Sequence, residues 1–163
     1  MSDVLFIADP IEHLKWQKDS TIAMIAAAAK RGLTVWYATA SQLEMRAGRL
    51  EVQAEQVGFL GFCEKWYHLS SPQTLPLQRF DAIFMRKDPP IDSAYLYACQ
   101  ILAMAEKQGV RVVNRPQSLL GFNEKLLISL FPHCIPETLV TARGDGVEAM
   151  KAFVELHEDV ICK

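Results

Sequence analysis

The sequence predicts an α/β fold, a mainly parallel sheet with helices on both faces, and three observations predict it. The opening Val4-Leu5-Phe6-Ile7-Ala8 is a continuous apolar run, the pattern of a strand buried on both sides of a parallel sheet. An alanine-rich helical stretch, Lys18 to Arg31, gives way to the β-branched and aromatic run Thr34 to Ala38. The same rhythm returns between Ala82 and Asn114. A strand joined to the next through one helix crosses over with a right-handed sense and leaves the two strands parallel.

Each element has its own warrant. Asp19 or Ser20 can cap the first helix, and Gly32 ends it. Gln42 to Met45 and Arg49 to Gln56 flank Arg46-Ala47-Gly48, a hairpin with glycine at the turn. Glu51, Gln53 and Glu55 alternate with Val52 and Ala54, so this strand is half exposed. Phe59 to Ser71 holds a short strand and a loop, and Pro72 to Pro76 reads as a connector. Ala82 to Met85 is a strand, Ser93 to Gln108 a helix stopped by Gly109, and Val110 to Asn114 another strand. The sheet is therefore expected to contain Val4 to Ala8, Val35 to Ala38, Ala82 to Met85 and Val110 to Val113. Pro116 to Leu120 is a helical turn, and Asn123 caps Glu124 to Leu130. Glu137 to Thr141 is an expected strand, Asp145 to His157 a last helix, and Val160-Ile161-Cys162 the start of a further strand. The ending at Lys163 reads as a cut inside a larger fold.

Composition excludes several classes. Half of the 163 residues are apolar, enough for one compact domain with a real core. A net charge of -2 leaves no electrostatic footprint for nucleic acid. No apolar run approaches the roughly 18 residues that a membrane span needs. Met1 to Asp9 lacks the positive flank of a signal peptide, so a cytoplasmic protein is expected. Cys63, Cys99, Cys134 and Cys162 are widely spaced, and the four histidines are scattered, so neither a disulfide framework nor a metal site is expected.

Three polar clusters fall where parallel strands end, the place where open α/β sheets hold ligands. They are Asp9-Pro10, Arg86-Lys87-Asp88-Pro89-Pro90 and Asn114-Arg115-Pro116-Gln117-Ser118. Proline fixes the backbone, so such loops hold a small polar ligand at little ordering cost. Arg86 can grip a carboxylate through paired hydrogen bonds, and Asp9 or Asp88 can pair with an ammonium. The plainer reading of each cluster is a solvated loop. There is no glycine-rich phosphate loop and no Gly-x-Ser-x-Gly elbow, so spacing alone stops at an α/β domain for a small charged ligand.

Longer motifs go further. Met85-Arg86-Lys87-Asp88-Pro89-Pro90 with Asp92 resembles a stretch of the prokaryotic glutathione synthetases. So does Val113-Asn114-Arg115-Pro116-Gln117-Ser118-Leu119 with Asn123-Glu124-Lys125. Asp9-Pro10 with Lys18-Asp19-Ser20-Thr21, then Leu75-Pro76-Leu77 before Phe80-Asp81, and then Pro136 to Thr141 agree in order and spacing. The resemblance covers almost the whole chain and about the first half of such an enzyme.

It implies a Rossmann-like (pre-ATP-grasp) domain over residues 1–122 that helps form the peptide-substrate cleft. Residues 123–163 would then begin a truncated ATP-grasp region. The family joins γ-glutamylcysteine to glycine, using ATP through an acyl phosphate. The implied substrate-binding residues are Asp9, Lys18, Arg86, Asp88, Asn114, Gln117 and Ser118. Lys125 and Lys163 match positions that touch ATP, while Mg2+ and most of the ATP site belong to later sequence, so the chain alone is expected to be inactive. A homo-oligomer is the implied assembly. Leu120-Gly121 stands where the family commonly has Arg-Asp, and Ala142 to Gly146 is longer and richer in glycine than its pattern. Two other readings stay open: an inert ligand-binding or oligomerisation module, and an ATP-grasp ligase with another acceptor amine.

Overall fold

A computed structural model describes residues 2–157 and 159–162. The chain forms two compact units, running from Met1 to Gly121 and from Phe122 to Lys163. The first unit is a sheet sandwiched between helices. Its elements are β1 (Asp3–Ile7), α1 (Ser20–Lys30), β2 (Thr34–Ala38), β3 (Leu43–Arg46), β4 (Arg49–Phe59), β5 (Tyr67–Leu69), β6 (Gln73–Pro76), β7 (Ala82–Met85), α2 (Ser93–Lys107), β8 (Val112–Val113) and α3 (Pro116–Gly121). The strand order is β3-β4-β2-β1-β7-β8, with β5 and β6 also paired to β4. β1 runs parallel to β2 and β7, and β7 runs parallel to β8. These are the parallel strands the sequence predicts.

Alternation along the strands divides the sheet into two faces. Leu5 and Ile7 of β1, Trp36 and Ala38 of β2, and Ile83 and Met85 of β7 turn to one side, where α2 contributes Ala98, Cys99, Leu102 and Ala105. Val4 and Phe6, Val35 and Tyr37, and Phe84 turn to the other, where α1 contributes Ile22, Ile25 and Ala28. The continuous apolar runs follow from this arrangement, because both faces of these strands are covered. The long strand β4 serves both cores: Leu50, Val52 and Ala54 enter the first and Val57 the second.

The helix ends obey the expected capping rules. The Asp19 carboxylate accepts from the Thr21 amide at 2.7 Å, and Asp92 accepts from the Tyr95 amide at 2.8 Å. Gly32 follows α1 with φ +72°, a conformation that costs a residue bearing a Cβ. The β3–β4 hairpin turns on two residues of positive φ, Ala47 (49°) and Gly48 (80°), while Arg46 stays in the ladder opposite Arg49. The expected connector Pro72 to Pro76 is instead largely strand β6, with Val52 paired to Leu43 on one side and Leu75 on the other. An outer strand tolerates proline because its unpaired edge needs no donor. The expected strand Val110 to Asn114 shrinks to the two residues of β8.

The second unit holds α4 (Glu124–Leu127), turns of 3-10 helix at Ile128–Leu130 and Pro132–Cys134, and α5 (Gly146–Leu156). The Asn123 side chain accepts from the Lys125 amide at 2.8 Å, the cap the sequence predicts. Two expectations fail: neither Glu137–Thr141 nor Val160–Cys162 is a strand. A strand needs a partner for its backbone groups, and among the described residues this unit contains none. No helix of the described residues is long and apolar enough to cross a membrane.

Candidate functional site

Because β1, β7 and β8 run parallel side by side, their carboxyl ends share one edge of the sheet. The backbone itself links two of the clusters, since the Arg86 amide donates to the Ile7 carbonyl at 2.7 Å. Asp9 leaves β1 and meets the turn that leaves β7. Lys87 Nζ donates to Asp9 Oδ1 at 3.0 Å, and the Asp88 amide donates to Asp9 Oδ2 at 2.9 Å. Tyr37 on β2 donates its hydroxyl to the Asp9 carbonyl at 2.9 Å. Burial pushes the Tyr37 phenol well above its usual pKa, with smaller contributions from the carboxylates of Glu12, Glu55 and Asp9. The hydroxyl therefore keeps its proton and remains a donor.

Arg86 points toward the start of α1. Its Nη2 donates to Ser20 Oγ at 2.8 Å, and its Nε lies 3.4 Å from Thr21 Oγ1, a long contact. Thr21 is only 3 % exposed, so that hydroxyl is fixed by packing. A guanidinium carries five N–H donors, and these two contacts leave others for a ligand. The loop and helix start after β1 face the turn after β7 across a cleft of about 400 Å³. His13, Lys15 and Lys18 line it together with Asp9, Asp19, Arg86 and Asp88. Lysine and arginine cations and aspartate carboxylates thus share one open space, which suits a small ligand bearing both charges.

Of the residues singled out in the sequence, Asp9, Lys18, Arg86 and Asp88 line this cleft together. Asn114 follows β8, Gln117 and Ser118 lie in α3, and none of the three lines it. Lys125 lies at the start of α4 in the second unit, beside a separate groove of about 460 Å³ formed by that unit alone. Lys163 lies outside the described residues. The roles of Ser20 and Thr21 as partners of Arg86 were not read from the sequence, although both stand in a motif quoted for the resemblance. Among the described residues no group of three or more His, Cys, Asp or Glu side chains could hold a metal ion.

A sheet whose parallel strands β1 and β7 end beside a charged cleft defines the α/β class, in which such strand ends are where ligands are held. Residues 2–119 match the family described as "Prokaryotic glutathione synthetase, N-terminal domain", and the chain belongs to that family. The glutathione synthetase of Pseudomonas syringae pv. tomato is 40% identical over 157 residues, 96% of this chain and 48% of the relative. That of Vibrio cholerae serotype O1 is 43% identical over the same share of each chain. That of Neisseria meningitidis serogroup B is 41% identical over 167 residues, 100% of this chain and 51% of the relative. The chain spans about half the length of the curated relatives it matches.

Proposed function

We propose that the chain is the substrate-side portion of a glutathione synthetase, which ligates γ-glutamylcysteine to glycine with ATP and Mg2+ in the cytoplasm. The observation that carries the reading is the identity of 40% with a named glutathione synthetase over 96% of the chain. In this reading residues 1–122 are the substrate-binding domain and residues 123–163 open the ATP-grasp region. Exposed Val147, Met150 and Val154 on α5 support the second assignment, because an apolar stripe is what a further layer would cover. Arg86 and Lys18 take a carboxylate of the peptide, Asp88 takes its ammonium, and Asp9 shapes the wall between them. Asn114, Gln117 and Ser118 take part from the neighbouring strand end. Lys125 and Lys163 serve ATP, and the metal is held by sequence beyond these residues. Association into a homo-oligomer belongs to the same reading.

The reading is tested by ADP release. The 163-residue chain alone is expected to show no glycine-dependent turnover. The same chain fused to the remaining half of the Vibrio cholerae relative is expected to turn over with γ-glutamylcysteine and glycine. In that fusion Arg86→Ala should raise the KM for γ-glutamylcysteine by on the order of tenfold or more, as expected for losing a charge-assisted bond, with the KM for ATP unchanged. A fusion that binds the peptide but never turns over would favour an inert binding module. Turnover with another amine in place of glycine would favour a ligase of different acceptor.

A further inference from the structure

Both oxygens of the Asp9 carboxylate have partners within the protein. One oxygen accepts from Lys87 Nζ at 3.0 Å and the other from the Asp88 amide at 2.9 Å. Lys87 Nζ also donates to the Asp88 carbonyl at 3.1 Å, closing a small ring of bonds around the turn. The pair is sheltered, with side chains 19% and 29% exposed for Lys87 and Asp9. A carboxylate so placed has its charge offset by the lysine and accepts one bond at each oxygen, both from the turn after β7. Arg86 and Asp88, one residue to either side of Lys87, are the charges that this turn brings to the cleft. The geometry points to Asp9 and Lys87 as a positioning pair, a clasp that fixes the turn after β7 so that Arg86 and Asp88 present their charges to the peptide ligand. Asp9 acts through this turn.

The inference rests on the proposed peptide site for its ligand, but its geometry is tested without one. In the 163-residue chain, amide hydrogen exchange read by NMR reports the bond from Asp88 to Asp9 directly. Asp9→Ala and Lys87→Met should each speed exchange at the Asp88 amide by about tenfold, the order expected for losing a hydrogen bond to a charged group. Amides in α1 and α2 should keep their protection and so control for folding. Lys87→Arg, which keeps charge and reach, should restore slow exchange. Titration with γ-glutamylcysteine supplies the second arm. Each loss-of-clasp variant should weaken binding about tenfold, and the double variant should be no weaker than Asp9→Ala alone, because both remove one device. Unchanged Asp88 exchange in Asp9→Ala would overturn the clasp whether or not the peptide binds. So would peptide binding that tightens or stays level in Lys87→Met, the result expected if Asp9 were itself a ligand group freed by losing its lysine. Absence of peptide binding in the unaltered chain, with exchange behaving as described, would sink the proposed peptide site and leave the clasp standing.

Discussion

The two units use amphipathic helices in opposite ways. α2 of the first unit carries Ala98, Cys99, Leu102 and Ala105 on one face and buries all four against the sheet. α5 of the second carries Val147, Met150 and Val154 at equally helical spacing and leaves them 56%, 46% and 47% exposed. Among the described residues of the second unit, only Gly146 is buried. The periodicity is the same, and the layer to receive it is not. A helical pattern in a sequence states what the helix requires, and only packing decides whether the requirement is met.

Core truncation should separate the units most strongly. Leu102→Ala removes a fully buried side chain and should cost about 2–5 kcal/mol in denaturant unfolding. Val154→Ala should stay within about 0.5 kcal/mol, as surface changes do. An equal loss from both would mean that α5 has a covered face. Thiol chemistry comes next. Cys99 is fully buried, and burial pushes its thiol pKa up, an effect partly offset by a hydrogen bond with Tyr95. Alkylation of the folded chain should reach the exposed Cys134 on the order of a hundredfold faster than Cys99, which must wait for the core to open. Mass spectrometry of the labelled peptides reads this, and comparable rates would show that α2 opens as readily as the second unit. The smallest contrast lies in the caps. Asp92→Ala should lower the stability of the first unit by about 1 kcal/mol. Asn123→Ala should leave that transition unmoved and should appear only in faster amide exchange within α4.

What could be read in advance divides along physical lines. β2 was legible to the residue and β7 likewise, because covered strands must be apolar throughout and their ends are marked by polar turns. β6 was hidden behind Pro72 and Pro76, residues that argue against a central strand and say nothing against an outer one. Glu137–Thr141 has strand composition but no partner, and pairing is a property of two segments that one segment cannot announce. The cleft followed the same rule. Asp9, Arg86 and Asp88 were legible because they stand at strand ends, while Lys18 came only from the resemblance. The contacts of Arg86 with Ser20 and Thr21 and of Lys87 with Asp9 join residues 65 to 78 positions apart, and local pattern carries no trace of them.

The outer margin of the sheet bears on how the protein behaves in crowded solution. β5 and β6 form an interrupted strand along β4, and at the break the Ser70 hydroxyl accepts from the Gln56 amide. Pro72 precedes β6 and Pro76 ends it, and neither offers an amide donor. β8, at one end of the strand order, is two residues long, and β3, at the other, is four. A neighbouring molecule seeking to add its own strand finds a broken, donor-poor margin or a very short one, and polymerisation through the sheet has nowhere to start.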